Sequence, residues 1–273
     1  MNNFLKRTLS GFLFVVLVVG SILFSPYAFI VVFSIICGWS VYEFHKLTNT
    51  VKDVNVNVWF SIIGGVLLFL CSFLFSSETS QYSVFLIYGL YIVLVFILEL
   101  YRQKSNPVNN LAYFIFGQFY VALPFSLLNF ILYFEGWQPL LLLSVFITIW
   151  INDTGAYLVG VNFGKHRLFE RVSPKKSWEG FFGGAAVAML SGYVFSLFIP
   201  QISLVNWLIF SEIIVIFGTF GDLIESLLKR TVNVKDSGNI IPGHGGLLDR
   251  FDSMLLAAPV VFIFLSFLFQ QAK

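Results

Sequence analysis

Long apolar stretches alternate with short polar segments along almost the whole chain. A helix that crosses a bilayer needs roughly 20 predominantly apolar residues, and stretches of that length recur about nine times. Their approximate bounds are 8–25, 27–46, 57–76, 81–100, 111–133, 138–160, 177–199, 203–229 and 247–269. The pattern predicts an all-α integral membrane protein with about nine transmembrane helices.

Three of these stretches have features of their own. The first follows basic residues, as in a signal peptide, but no small-residue cleavage site comes after it, so we expect a retained helix. Pro124 predicts a kink in the fifth stretch, and the eighth is long enough for its end to project beyond the hydrocarbon. The glycine pairs Gly160/Gly164 and Gly180/Gly184 are typical of close helix packing.

The basic residues fall on one side of the predicted membrane. With a cytoplasmic N-terminus, the inner segments hold 15 of the 16 Lys and Arg residues, and only Lys273 is left outside. The positive-inside rule therefore predicts a cytoplasmic N-terminus and an odd number of spans. The two long polar segments, 162–176 and 231–246, are then both cytoplasmic, and polar loops of such length are often functional.

Composition agrees with this prediction and excludes several classes of protein. Apolar residues make up 58% and charged residues 11% of the chain, whereas an average soluble domain has about 25% charged residues. The net charge of +2 gives no basis for a nucleic-acid surface. Cys37 and Cys71 lie inside apolar stretches, so we expect no disulfide framework. We divide the chain into helices 1–5 (1–135) and helices 6–9 (136–273), with one continuous membrane domain as the alternative.

The segment 221–252 concentrates acids, bases and glycines in a charge-poor protein. Asp222 and Glu225 share a face of the eighth predicted helix, and Asp249 and Asp252 share a face of the ninth. Carboxylates from two helices, with waters and substrate phosphates, form the kind of oxygen cage that Mg²⁺ prefers. The glycines and bases between them can close on an anion. Phosphate chemistry on a metal is one interpretation, and a membrane border of snorkelling side chains is the other.

A second cluster, Ser173–Gly180, reads S-P-K-K-S-W-E-G. Ser173 followed by Pro174 predicts a helix N-cap with proline at the first helical position. Lys175 and Lys176 would then lie where the helix macrodipole disfavours cations, and a bound anion would relieve that conflict. The alternative is an anchor that only sets topology. Asp153, in the cytoplasmic half of the sixth stretch, indicates either a ligand or a polar network.

The segment from Ser226 to Asp252 reads S-L-L-K-R-x4-K-D-S-G-x2-I-P-G-H-G-G-L-L-D-R-F-D. It resembles the signature of the phosphatidate cytidylyltransferase (CDP-diacylglycerol synthase) family, and S-P-K-K-S-W-E-G and N-D-T-G-A-Y are similar to other characteristic stretches of that family. The resemblance implies that CTP and phosphatidic acid are converted to CDP-diacylglycerol and pyrophosphate with Mg²⁺. It also implies that Asp222 and Asp249 bind the metal, with a monovalent cation such as K⁺ beside it.

The motifs and the resemblance together give the remaining candidate residues. Besides the two metal ligands, we expect Lys235, Asp236 and Arg250 to be catalytic. The expected substrate-binding residues are Ser173, Lys175, Lys176, Ser226, Lys229, Arg230, His244, Gly245, Gly246, Asp153 and Asp252. The bases would hold the phosphates of CTP and of the lipid, and which base holds which phosphate is left open.

The substrates also predict where the site lies. Phosphatidic acid stays in the bilayer and CTP arrives from water, so we expect an active site at the cytoplasmic border of the cell's inner (plasma) membrane. The family and the small-residue pairs favour a homodimer. Two other functions remain open from the residues, an ion-coupled transporter with an intramembrane relay and a lipid or polyprenol kinase-like enzyme that releases CDP. The nucleotide product formed from CTP separates these alternatives.

Overall fold

The computed structural model describes residues 3–240, 243 and 245–270, with side chains from residue 8 to residue 269 of those ranges. Helices dominate the described chain, and a single two-stranded hairpin accompanies them there. The helices are α1 (Asn3–Phe24), α2 (Pro26–Thr48), α3 (Val58–Ser76), α4 (Val84–Tyr101), α5 (Pro107–Gly117), α6 (Leu123–Leu132), α7 (Pro139–Phe163), α8 (Trp178–Phe198), α9 (Leu204–Thr231) and α10 (Leu248–Gln270). The strands are β1 (Arg167–Phe169) and β2 (Ser173–Ser177).

Helices occupy all nine of the predicted apolar stretches. Among the described residues, eight helices are long and apolar enough to cross a membrane, with Pro107–Leu132 counted as one of them. The apolar part of α1, Thr8–Phe24, forms a shorter helix. The chain is therefore a multi-pass membrane protein, as predicted, whereas the count of nine spans stays a prediction.

The fifth predicted span is interrupted where proline was expected to disturb it. A π-helical segment, Gln118–Ala122, joins α5 to α6, and Pro124 lies in the first turn of α6. Proline has no N–H to donate to the preceding turn and its ring crowds the carbonyl there, so the backbone widens. Within the widened segment, buried Gln118 donates from Nε2 to the Ser61 carbonyl oxygen at 3.0 Å.

The described chain forms two compact units, of which the first comprises Met1–Pro139 and Thr231–Phe251. Its core contains a cluster of buried rings, in which Phe251 lies 5.2 Å from Phe125 and 6.3 Å from Phe33 between ring centroids. The described residues of 231–251 are thus packed with the N-terminal helices, although a long stretch of the chain separates them from those helices.

The second unit comprises Leu140–Arg230 and Asp252–Lys273. Its helices α7 and α8 pack through glycine, since an added Cβ at Gly180 would lie 3.3 Å from the Gly160 Cα. An added Cβ at Gly184 would overlap the side-chain oxygen of Asn152. The predicted role in helix packing is confirmed for Gly160, Gly180 and Gly184, whereas Gly164 follows the end of α7 and lies against Ser177.

The prediction that a helix begins at Ser173 is wrong. Ser173–Ser177 is strand β2, and α8 begins at Trp178 with Ser177 as its N-cap, whose hydroxyl accepts from the Gly180 N–H at 3.1 Å. This start leaves the two lysines outside the helix and places Glu179 in the first turn, where the macrodipole favours an acid. Proline at the second residue of a short edge strand is also tolerated.

Candidate functional site

The C-terminal turns of α9 present acidic and basic side chains at helical spacing. Asp222 and Glu225 are three residues apart, and Glu225 and Lys229 are four apart, so all three share one face. The Lys229 Nζ donates to Glu225 Oε2 at 2.6 Å, and both side chains are buried. A buried ion pair of this kind is costly to form and strongly destabilising to break. Glu225 is thereby held in a fixed orientation beside Asp222.

A third carboxylate, from α10, completes an acidic cluster. Ligand atoms of Asp222, Glu225 and Asp252 all lie within 4.8 Å of one another. Gly221 permits this approach, because an added Cβ would overlap the Asp252 carbonyl oxygen. Asp252 also interacts electrostatically with Asp153 of α7. We call Asp222, Glu225 and Asp252 the acidic cluster.

Cations counter this concentration of negative charge. The Lys176 ammonium, from β2, forms an ion pair with the Asp222 carboxylate, and Lys229 pairs with Glu225. Three carboxylates so close together repel one another unless cations neutralise them. Carboxylate oxygens converging from two helices are the donor set that Mg²⁺ prefers. The acidic cluster therefore fits a divalent cation and the phosphates that such a cation carries.

The hairpin directs the two neighbouring lysines differently. Arg167 pairs with Ser177, and Phe169 pairs with Ser173. Between these two pairs, β2 therefore has two more residues than β1. This shift in register marks a bulge or another irregularity in the hairpin. Lys176 reaches Asp222, whereas Lys175 is exposed. Of the predicted lysine pair, Lys176 is the member that joins the acidic cluster.

Glu179 holds the base of the hairpin. Its carboxylate accepts from the backbone N–H of Lys165 at 3.1 Å and of His166 at 3.2 Å. The His166 Nδ1 lies 2.6 Å from Glu179 Oε1. The Trp178 N–H closes the turn by donating to the His166 carbonyl oxygen at 2.9 Å. The first turn of α8 thus fixes the strand that carries Lys176.

In the first unit, Asp249 organises the loop that precedes α10. Its Oδ2 accepts from the Ser237 N–H at 2.9 Å and from the Gly246 N–H at 2.8 Å. Gly245 has φ +85°, and a Cβ there would lie 2.7 Å from the same Oδ2. Glycine is needed at this position both for its backbone conformation and for the close approach. We call the described residues of 235–249, which extend into the first turn of α10, the signature loop.

The structure separates the remaining predicted residues by exposure. Ser226 donates to Asp222 Oδ1 at 3.4 Å and so lies beside the acidic cluster. His244 lies outside the described residues. The exposed members of the predicted set are Asp153, Lys175, Arg230, Lys235, Asp236 and Arg250. Five of them lie near helix ends, in a loop or in β2, whereas Asp153 lies within α7, away from either end of that helix.

Two acids that the structure places in or near the candidate site are absent from the residues predicted from the sequence. Glu225 was recognised on the same helix face as Asp222 but was not named among the candidate site residues. Glu43, on α2, is buried and accepts hydrogen bonds from the signature loop. No motif signalled Glu43, and its only sequence signal is an acid near the end of an apolar stretch, where acids are rare and usually functional.

Comparison with known proteins gives a consistent result. The sequence model described as "Cytidylyltransferase family" matches residues 5–268. A protein of Thermotoga maritima named phosphatidate cytidylyltransferase is 32% identical over 226 residues, which cover 81% of this chain and 82% of the relative.

Two further relatives bear the same name but match over shorter segments. The protein of Bacillus subtilis is 47% identical over 124 residues, or 44% of this chain and 45% of the relative. That of Staphylococcus epidermidis is 46% identical over 126 residues, or 45% and 48%. The chain thus spans about half the length of these two relatives.

Proposed function

Because this chain belongs to the cytidylyltransferase family, we propose that it transfers the cytidylyl group of CTP to phosphatidic acid. The products are CDP-diacylglycerol and pyrophosphate. The observation that carries the proposal is the acidic cluster, which Lys176 and Lys229 flank at the polar ends of membrane helices. The names of the relatives support phosphatidic acid as the acceptor.

The proposed reaction requires neutralisation of the phosphate charges and alignment of the two substrates more than it requires a general base. A phosphate oxygen of the lipid forms a bond to the α-phosphorus of CTP, and the bond from that phosphorus to the bridging oxygen of pyrophosphate breaks. The lipid phosphate is already anionic near neutral pH, so no strong general base has to remove a proton. Positioned cations reduce the repulsion between the two anionic substrates and favour an in-line approach.

We propose that the acidic cluster holds Mg²⁺. The bound ion would neutralise charge on the phosphates of CTP, and Asp222, Glu225 and Asp252 would supply the protein ligands. The assignment of Asp249 to the metal, and of K⁺ as a companion ion, rests on the family resemblance and stays a prediction. In the described residues Asp249 accepts two N–H groups of the signature loop, which suits an ionised carboxylate.

The bases are proposed as phosphate ligands. Lys176 is suited to substrate because it already lies beside the acidic cluster. Lys175 and Arg230 of the second unit are exposed, as are Lys235 and Arg250 of the first unit, and all four stay proposed phosphate ligands. Ser173, His244, Gly245 and Gly246 belong to the two motifs and remain proposed substrate contacts.

We propose that the chain crosses the inner (plasma) membrane nine times. The site then faces the cytoplasm. A cysteine introduced at exposed Asn239, in a variant that lacks Cys37 and Cys71, should react with an impermeant maleimide only from the cytoplasmic side. A cysteine at exposed Gln201, between α8 and α9, should react only from outside. The positive-inside distribution of Lys and Arg is the reason. Labelling of Asn239→Cys in intact cells contradicts this orientation.

The proposed activity is tested with the purified protein, CTP labelled at the α-phosphate, phosphatidic acid and Mg²⁺. We expect the label in a lipid product, and pyrophosphate in equal amount. Release of CDP together with a phosphorylated alcohol, in a parallel assay with a lipid alcohol in place of phosphatidic acid, indicates a kinase-like enzyme instead. Unchanged CTP, together with ion-driven uptake in vesicles, favours the transporter.

A further inference from the structure

Glu43 is a buried carboxylate that the proposed reaction does not use. It lies on α2, five residues before the helix ends, with 2% of its surface exposed. Three groups donate to it: Trp39 Nε1 to Oε1 at 3.1 Å, Ser237 Oγ to Oε2 at 3.2 Å, and the Leu248 N–H to Oε2 at 2.9 Å. Two of these three donors, Ser237 and Leu248, belong to the signature loop.

Two glycines of the signature loop lie directly against this carboxylate. A Cβ added at Gly238 would overlap Glu43 Oε1, and one added at Gly246 would overlap Oε2. The loop backbone therefore packs on Glu43 near both of its ends. Glycine allows the approach because it has no Cβ.

Glu43 and Asp249 hold the same parts of the loop. Ser237 donates its hydroxyl to Glu43 and its backbone N–H to Asp249. Gly246 packs on Glu43 and donates its N–H to Asp249. Leu248, whose N–H points to Glu43, is the first residue of α10, where unpaired N–H groups and the macrodipole favour a negative charge.

We propose that Glu43 is a positioning residue, which fixes the signature loop and thereby the direction of the Asp249 carboxylate. The proposal rests on the proposed function for its effect on turnover, but its structural part stands on the contacts alone. It gives α2 a part in holding the signature loop, whereas the sequence motifs all lie within residues 150–252.

Glutamine is the informative substitution, because it keeps the size and removes an acceptor. If the glutamine NH₂ replaces Oε1, it faces the indole N–H of Trp39; if it replaces Oε2, it faces the N–H of Leu248. Either orientation sets donor against donor. A buried donor without an acceptor is destabilising, so we expect one side of the loop to be displaced.

Glu99→Gln is a matched control within the same unit. Glu99 is also buried, at 6% exposure, and it accepts from Asn110 Nδ2 at 2.6 Å and from Arg102 at 2.7 Å. None of its described partners belongs to the signature loop. Its substitution removes a comparable buried interaction and leaves the contacts of the loop in place.

The experiment compares Glu43→Gln with Glu99→Gln in detergent, by turnover, thermal stability and hydrogen–deuterium exchange of peptides from 232–251. We expect faster exchange of these peptides and a fall of at least about tenfold in kcat for Glu43→Gln, the ratio that corresponds to ~1.4 kcal/mol. Glu99→Gln should keep exchange in this segment and kcat close to those of the unaltered protein. Equal effects of the two variants, or normal exchange in Glu43→Gln, overturn the proposal.

A second variant covers the case in which Glu43→Gln does not fold. Ser237→Ala removes one of the three donors and should accelerate exchange in the same peptides, with a smaller fall in kcat. Unchanged exchange in Ser237→Ala then overturns the proposal. If the unaltered protein forms no CDP-diacylglycerol, the proposed function fails, whereas the exchange comparison still decides the role of Glu43.

Discussion

Asp222→Asn should lower the rate of CDP-diacylglycerol formation by about 10³-fold, which corresponds to ~4 kcal/mol of lost transition-state stabilisation. The substitution keeps the size of the side chain but removes the charge through which Asp222 contacts Lys176 and contributes to the acidic cluster. Initial rates over a wide range of Mg²⁺ concentrations, at saturating CTP and phosphatidic acid, measure the effect. The protein should still fold, because the loss of one ion pair is offset by relief of repulsion among three carboxylates.

Glu212→Gln provides the control for that loss. Glu212 lies on the same helix and undergoes the same chemical change, but it is outside the acidic cluster. We expect a near-normal rate for this variant. Equal losses of rate in both variants would mean that the substitutions disturb α9 as a whole. A rate for Asp222→Asn within about tenfold of normal would mean that Asp222 is not a metal ligand.

Lys176→Ala should lower kcat/KM by roughly 10- to 100-fold, the scale of a charge-assisted hydrogen bond worth ~1.5–3 kcal/mol. Lys176 already points to Asp222, so a phosphate bound at the acidic cluster comes within its reach. Steady-state kinetics with CTP and phosphatidic acid varied in turn identify the substrate whose binding suffers.

Lys175→Ala is the matched comparison, because Lys175 is exposed next to Lys176. Its effect on kcat/KM should be clearly smaller. If both lysines serve only as topology anchors, activity per folded molecule stays normal and membrane insertion falls in both variants. Equal kinetic losses would show that the structure does not distinguish the two side chains functionally.

The thermal stability of Lys176→Ala should also show whether Lys176 lies in a helix, as the sequence predicted, or in strand β2, as in the structure. A cation in the first turn of a helix opposes the macrodipole, so its removal would leave the substrate-free protein as stable or more stable. In strand β2, Lys176 instead pairs with Asp222. Its removal should therefore lower the free energy of unfolding slightly, by ~0.2–1 kcal/mol, as for a partly exposed ion pair.

The sequence predicted the helices well because a lipid environment leaves a chain few choices. Backbone groups in hydrocarbon must bond within the segment, so hydropathy alone locates helices at all nine stretches. The sequence also named Asp222 and Asp252 as candidates, because acids near a membrane are costly and usually functional, and the structure brings the two together. Spacing along a single helix could predict Asp222 beside Glu225, which the structure confirms.

Other features depend on contacts between distant parts of the chain. The local pattern at Ser173 is typical of a helix start, but Ser177 is an equally good N-cap. Pairing with β1 then stabilises residues 173–177 as a strand. Glu43 is 194 residues from Ser237, and no local pattern reports that pairing. Periodicity and capping rules describe neighbours in sequence, whereas such a contact follows from packing of the whole unit.

The length of α9 links the site to the thickness of the membrane. Its 28 residues extend about 42 Å at 1.5 Å per residue, whereas the hydrocarbon core is ~30 Å thick. The surplus must be absorbed by tilt, by local thickening of the bilayer or by protrusion of the helix end that carries Asp222 and Glu225. Hydrophobic mismatch therefore sets how deep the carboxylates lie relative to the lipid phosphates, and a bilayer with longer acyl chains draws them toward its interior.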